Sequence, residues 1–161
     1  MKEDSTAHFS AMLDWHRLPA DFPGRAAAAA NPVRSELVAR AMEPRFGTRF
    51  IGFIQMHEFE ALLLTDVLAG IGAALPGYDA QLNALNEELE KLKGGGIGPE
   101  QVNDGNETKP SARIAAHLSE YAAAKASAGP IAASAIGLER IRASCPNFGT
   151  WLARLEKLDS A

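Results

Sequence analysis

The chain has 161 residues, 47% of them hydrophobic, and a formal net charge of −4. That is enough apolar material for one folded domain with a real core, and it excludes a chain that stays disordered for want of one. The negative balance gives no global basic field for nucleic acid, so any such contact needs a local patch, and the single cysteine, Cys145, excludes a disulfide framework and a zinc ribbon. With no histidine partner in its local motif, Cys145 reads as a small buried apolar residue. The first residues, Met1-Lys2-Glu3-Asp4-Ser5-Thr6, are polar with no apolar h-region after them, and no apolar run is long enough to span a bilayer. These features point to a cytoplasmic protein with no membrane partner.

In chain order, residues 8–14 (HFSAMLD) are a short apolar run ending in aspartate and form the first predicted strand. LPADFPG follows as turn or loop. AAAAA at 26–30 suits a helical turn, and Asn31-Pro32 has the form of an N-cap with proline at the first helical position. The helix predicted from there carries Val33, Leu37, Val38 and Met42 near one face. Residues 45–55 contain the second strand, Phe50–Ile54, whose lack of polar alternation is that of a strand covered on both faces in a parallel sheet. A helix is predicted from about His57 to about Leu64, and Pro76-Gly77 breaks the following segment. Residues 79–93 read as an amphipathic helix, with Leu82, Leu85, Leu89 and Leu92 on one stripe facing protein, and Gly94-Gly95-Gly96 ending it. IGPEQVNDGNETKP is loop. Pro110 opens a helix carrying Ile114 and Leu118, Gly129-Pro130 is expected to start a further helical pair, and Pro146 opens the last helix, with Phe148, Trp151, Leu152 and Leu155. There is no internal repeat, so residues 1–161 read as one α/β domain with a helix-rich C-terminal half. Only two strands are convincing, and a two-stranded sheet is marginal alone.

Where the second strand gives way to helix, His57, Glu58 and Glu60 arrive together, and Asp14 closes the first strand. Ligands in open α/β sheets bind in the crevice outside the carboxyl ends of the strands. Asp14, Glu58 and Glu60 are therefore candidate ligands of a hard divalent cation. Mg²⁺ takes oxygen ligands and keeps several waters, so two or three carboxylates suffice. The same residues also have plainer uses. A glutamate near a helix N-terminus complements the macrodipole by about 0.3–1 kcal/mol, and His57 is placed to cap. The group is not a HExxH zinc site, because position 61 is alanine. A second polar cluster, Asn103-Asp104-Gly105 with Glu107 and Thr108, supplies Asp104 and Glu107 as secondary candidates, or forms a turn before the Pro110 helix. NEELEKLK reads as a solvated helix face. GGGIG follows a helix and lacks the Lys-Ser/Thr of a phosphate loop. No Ser-His-Asp arrangement is readable.

Three stretches, MLDWHRLPADFPG, RFIGFIQMHEFEALLLTD and VNDGNETKPSARI, resemble in this order the bacterial family catalogued as domain of unknown function 4276, and the closing GPIAASAIGLERIRASCPNFGTWLARLEKL looks like its C-terminal end. The family is similar to Toprim-like proteins, and its members can sit beside ATPase genes in phage-defence loci. The resemblance implies an α/β sheet with an acidic metal-binding edge and Mg²⁺-dependent phosphodiester hydrolysis of a nucleic acid, with Mg²⁺ activating water. Asp14, Glu58 and Glu60 then carry the metal, and His57 joins them in the catalytic group. One departure stands out. Family members begin with a strand and an EGxTE-like turn, and nothing before Asp14 matches it, so the sequence resembles the C-terminal two-thirds of a member with a partly incomplete Toprim-like sheet. That loss removes a ligand and leaves activity in doubt. The alternative is a non-catalytic interaction module that docks on a partner ATPase through its helical C-terminal half.

Overall fold

The computed structural model describes residues 7–28, 40–42, 47, 49–102 and 105–158, and the fold is mixed α/β. Residues 31–39 of the helix expected from Asn31-Pro32, with Val33, Leu37 and Val38, lie outside the described residues; residues 40–42 are helical and Met42 is buried, as expected. The chain divides into two compact units: residues up to Met56 together with those from Thr150 on, and residues His57–Gly149. No helix among the described residues is long and apolar enough to cross a membrane.

The first unit holds a parallel pair of strands, β1 (Phe9–Asp14) and β2 (Phe50–Gln55), with Phe9 opposite Phe50 and Asp14 opposite Gln55. Every residue of β2 is buried, as its unbroken apolar run predicts. Side chains alternate across a strand, so the pair presents two faces. On one, Phe50 and Ile54 join Ala11 and Leu13 in a cluster with Trp15, Leu18, Phe22, Met42 and Met56. On the other, the Trp151 ring stacks on Phe53 and its indole N–H donates to the Ser10 hydroxyl at 3.1 Å. Gly52 is needed here, because a Cβ on it would stand 2.7 Å from the Phe50 ring. After β1 the chain makes a 3₁₀ turn, Trp15–Arg17, and a short helix, α1 (Arg25–Ala28), within the alanine-rich stretch.

The second unit is helical. The helix expected from His57 starts at Glu60 and is short: α2 (Glu60–Leu63). It is followed by α3 (Val67–Ala74), which has no counterpart in the expected elements. Asp66 starts α3 by accepting the Ala69 N–H at 2.9 Å, and Arg140 pairs with the other oxygen of Asp66. α4 (Asp79–Gly94) is as expected: Leu82, Leu85 and Leu89 are buried and Leu92 half-buried. Its end is a Schellman-type cap in which Gly96 takes φ +84° and the Ile97 N–H reaches the Leu92 carbonyl at 3.0 Å. Pro110 opens α5 (Pro110–His117).

Gly129-Pro130 does not start a helix. Both residues lie inside α6 (Glu120–Ile136). Proline in a helix interior frees the carbonyl four residues earlier. Here Ala126 and Pro130 are both exposed, so water can satisfy that carbonyl, while Ala128, Gly129 and Ala132 bury the opposite side. Burial of that face outweighs the proline signal. α6 packs on α3 so closely that a Cβ on Gly70 would stand 2.7 Å from Ile136. The expected helical pair divides instead at Gly137, φ +85°, which separates α6 from α7 (Leu138–Ser144). Pro146 opens α8 (Pro146–Glu156) as expected. Cys145 is fully buried beside the Thr65 hydroxyl at 3.6 Å, and burial pushes its thiol up to about 12.

Candidate functional site

β2 ends at Gln55, and the four residues Met56–Phe59 turn the chain into α2. Glu58 precedes the helix and Glu60 begins it. The Glu58 carbonyl accepts the Ala61 N–H at 3.0 Å, which fixes the backbone that carries both side chains. From this turn both carboxylates reach groups on and just before α5 and on α6.

Four groups there receive them. One oxygen of Glu58 takes the Lys109 ammonium at 3.1 Å and stands 3.7 Å from the Lys125 ammonium. Its other oxygen accepts the Ser111 N–H at 2.9 Å. Glu60 is nearly inaccessible to solvent, at 2%, yet its Oε1 meets Lys125 at 3.0 Å and accepts the Tyr121 hydroxyl at 3.3 Å. Two carboxylates thus face two ammonium groups, which makes burial tolerable. Burial alone would push the Glu58 carboxyl up. The Ser111 hydroxyl and N–H, Lys109 and Lys125 together outweigh it and hold the group below its ordinary 4.5. Tyr121 is fully buried, and burial together with Glu60 pushes its phenol far up, so it stays a protonated donor.

The two carboxylates of the HEFE stretch therefore converge, on Lys125. Asp14 belongs to the other unit and caps the 3₁₀ turn that follows it, accepting the His16 N–H at 2.8 Å. His57 is half-buried in the turn between β2 and α2, Glu107 is exposed, and Asp104 lies outside the described residues. Among the described residues no three His, Cys, Asp or Glu side chains group closely enough to hold a metal ion. As arranged, the Glu58–Glu60 pair does not fit a divalent cation, because the position between its oxygens is taken by an ammonium.

Lys109, Ser111, Tyr121 and Lys125 were not legible as site residues, but one signal points to part of the arrangement. Helices α5 and α8 both open on proline, preceded by Lys109 and Cys145, which offer no capping side chain. The first free N–H groups of such helices need acceptors from elsewhere. Glu58 supplies one at α5. At α8 the buried Glu100 does the same, accepting the Asn147 and Phe148 N–H groups at 2.9 Å each. Burial pushes the Glu100 carboxyl up, and the two N–H groups only partly offset it. A third carboxylate, Glu88 on α4, binds Arg113 and, at 2.9 Å, His117 on α5. Burial raises it, but these partners hold it below its ordinary value.

Linkage gives the pH behaviour of Glu58. A carboxyl whose folded value lies below its unfolded one adds stability that is fully present above the unfolded value and is lost as pH falls through the folded one. Glu58→Gln should cost about 1.5–3 kcal/mol near neutrality, the scale of hydrogen bonds to a charged group. The gap from wild type should close below about pH 4.5, where the wild-type carboxyl also takes up a proton. Urea unfolding at stepped pH reads this directly, and a gap that does not shrink as the pH is lowered would assign the effect to packing rather than charge.

At the pair, α2 and α6 leave an open groove of about 560 Å³ lined by Phe59, Glu60, Ala122, Lys125, Ala126 and Gly129. Phe59 is exposed, and a Cβ on Gly129 would come 3.3 Å from its ring.

The family model described as Domain of unknown function (DUF4276) matches residues 1–156, so the chain belongs to that family. No curated protein and no solved structure matches it.

Proposed function

We propose that this DUF4276 protein is a Toprim-like, nuclease-related component of a bacterial phage-defence system. In the form seen here it acts in the cytoplasm by docking on a partner ATPase, not by cutting nucleic acid with Mg²⁺. The observation that carries this reading is Lys125. Its ammonium lies between Glu58 and Glu60, where phosphodiester hydrolysis through these carboxylates would need a cation. A charge-neutral, hydrogen-bonded network of this kind holds α2 against α5 and α6, which is what a rigid docking surface requires. The groove beside it supports the same reading. Its lining is mostly small and apolar and carries the exposed Phe59 ring, and aromatic rings are the residues enriched at the buried centre of interfaces.

The test pairs two measurements on the 161-residue protein. Mg²⁺ titration against DNA and RNA should give no cleavage above that of Glu60→Gln. Calorimetry with an ATPase of the kind encoded beside family members should show binding that Ala126→Glu weakens by about tenfold or more, the scale of about 1.4 kcal/mol lost at a contact. Ala126 is exposed on α6, so the fold tolerates the change. Cleavage that Glu60→Gln abolishes would restore the metal-dependent phosphodiesterase, with Asp14, Glu58, Glu60 and His57 as its residues. Binding untouched by Ala126→Glu would remove the groove as the docking site.

A further inference from the structure

We infer that the free edge of β1 is an interface, and that it pairs antiparallel with β1 of a second copy of this chain about a two-fold axis at Ala11. The inference concerns the sheet unit alone and uses neither the Glu58–Glu60 pair nor the groove of the helical unit. It starts from the main chain. The Phe9 N–H points to β2, where it donates to the Arg49 carbonyl at 2.9 Å. Along a strand, successive residues turn their N–H and C=O groups to opposite sides. Those of Ala11 and Leu13 therefore face β2 with Phe9, and those of Ser10 and Met12 face away from it. No hydrogen bond among the described residues uses these outward groups. Every residue of β2 is buried, whereas on β1 Ser10 is exposed, Phe9 is 56% exposed with Arg49 over its ring, and Met12 is 37% exposed. Folded proteins blunt such edges with proline, lysine or a bulge. Residues 8–14 hold no proline and no lysine, and the β1–β2 register runs unbroken from Phe9 to Asp14.

The edge is complementary to itself, which makes the occupant a second copy. With the axis at Ala11, Ser10 stands opposite the partner's Met12, and the two exchange N–H···O=C bonds through the outward groups. On one face Phe9 lies against the partner's Leu13. On the other face His8 lies opposite the partner's Asp14, and the two-fold repeats this imidazole–carboxylate pair at the far end. Pairs directly opposite across strands interact, and opposite charges there are favourable. Both groups are placed for it. His8 is exposed, and Arg49 keeps it in line with the strand, reaching the Ala7 carbonyl on its other side at 3.1 Å. Asp14 uses Oδ1 on the His16 N–H, and its Oδ2 has no hydrogen bond among the described residues. A parallel pairing in register would instead set Asp14 against Asp14, which is unfavourable. The antiparallel pairing joins two marginal two-stranded units into one sheet. It also consumes the β1 edge of both copies, so the assembly closes as a dimer.

Sedimentation equilibrium of the full chain should show a monomer–dimer transition below about 100 μM and no larger species. Met12→Pro removes an outward N–H and spares the β1–β2 ladder, a place where a strand tolerates proline. It should weaken the dimer by about tenfold or more. His8→Asp sets like charges opposite at both ends and should weaken it by about threefold or more. Ala11→Cys reads the register. On the axis the two Cα atoms of such a pair stand about 4.5 Å apart, within the span of a disulfide, about 4.4–6.8 Å. Mild oxidation should therefore cross-link Ala11→Cys into a dimer, while wild type, whose single Cys145 is buried, should not cross-link. A chain that stays monomeric at about 100 μM overturns the inference. So does a dimer that Met12→Pro leaves unchanged, or one that Ala11→Cys fails to cross-link. If Met12→Pro does not fold, cross-linking of Ala11→Cys decides alone.

Discussion

Replacing Leu85 by aspartate should unfold the helical unit. Leu85 is fully buried at the centre of the α4 stripe, between Leu82 and Leu89, which are buried too. Emptying such a site costs about 2–5 kcal/mol through lost transfer and the cavity left behind. Placing a carboxylate there adds its desolvation, and no cation among the described residues is paired with this stripe. The sum meets or exceeds the about 5–15 kcal/mol that holds an ordinary domain together. Circular dichroism of the variant should show a large loss of helix at room temperature. The control is Asn83→Asp on the exposed face of the same helix, which should stay within about 0.5 kcal/mol of wild type. If Leu85→Asp stays folded and instead lowers self-association, the stripe is an interface and the core assignment fails.

The elements that were legible share one property: their own residues decide them. β2 is buried at all six positions because Phe50, Ile51, Phe53 and Ile54 leave no polar face. α4 follows from its leucine spacing and its glycine stop, and α8 from a proline start with Phe148 and Trp151 on its apolar side. The elements that were not legible are decided by partners. Proline at 130 is a strong local break, and it is overridden because Gly129 lets α6 approach Phe59 while the residues beside it bury against the unit. The candidate site divides the same way. Glu58 and Glu60 stood out because they follow the carboxyl end of a predicted strand, where open α/β sheets bind ligands. What neutralises them comes from Lys109, 51 residues away from Glu58, and from Lys125 on α6, while the Tyr121 hydroxyl, 61 residues away, donates to Glu60. No period or spacing links such pairs; only the packing of α2 on α5 and α6 does. Asp14 was conspicuous for the same reason as Glu58, and its visible partner is local, the N–H two residues on. An aspartate that ends a strand before a tight turn carries that capping use within its own sequence.

Removing the indole of Trp151 should cost the sheet unit about 3 kcal/mol, the low end for a tryptophan truncated to alanine because this one is half-buried. Two strands do not make a stable sheet in water without cover on their apolar faces. One face of β1 and β2 has the Trp15–Leu18–Met42 cluster. On the other, Trp151 lies over Phe53 with ring centroids 5.4 Å apart and planes 27° from parallel. Its N–H spans both strands, reaching the Ser10 hydroxyl of β1 at 3.1 Å and the Ile51 carbonyl of β2 at 3.3 Å, while Ser10 itself donates to Ile51 at 2.8 Å. The side chain thus contributes ring burial and a polar tie across the pair, and two substitutions separate them. Trp151→Phe keeps an aromatic ring over Phe53 and loses only the donor, so it should cost about 1 kcal/mol, the net worth of an ordinary hydrogen bond. Trp151→Ala loses both. Urea unfolding gives the two costs, and the emission of Trp15, then the only tryptophan remaining, reports whether the cluster on the opposite face opens in the same transition. A Trp151→Ala variant within about 0.5 kcal/mol of wild type would mean that β2 holds its place without this cover. Equal costs for the two variants would mean that the tie, and not the ring, secures the strands.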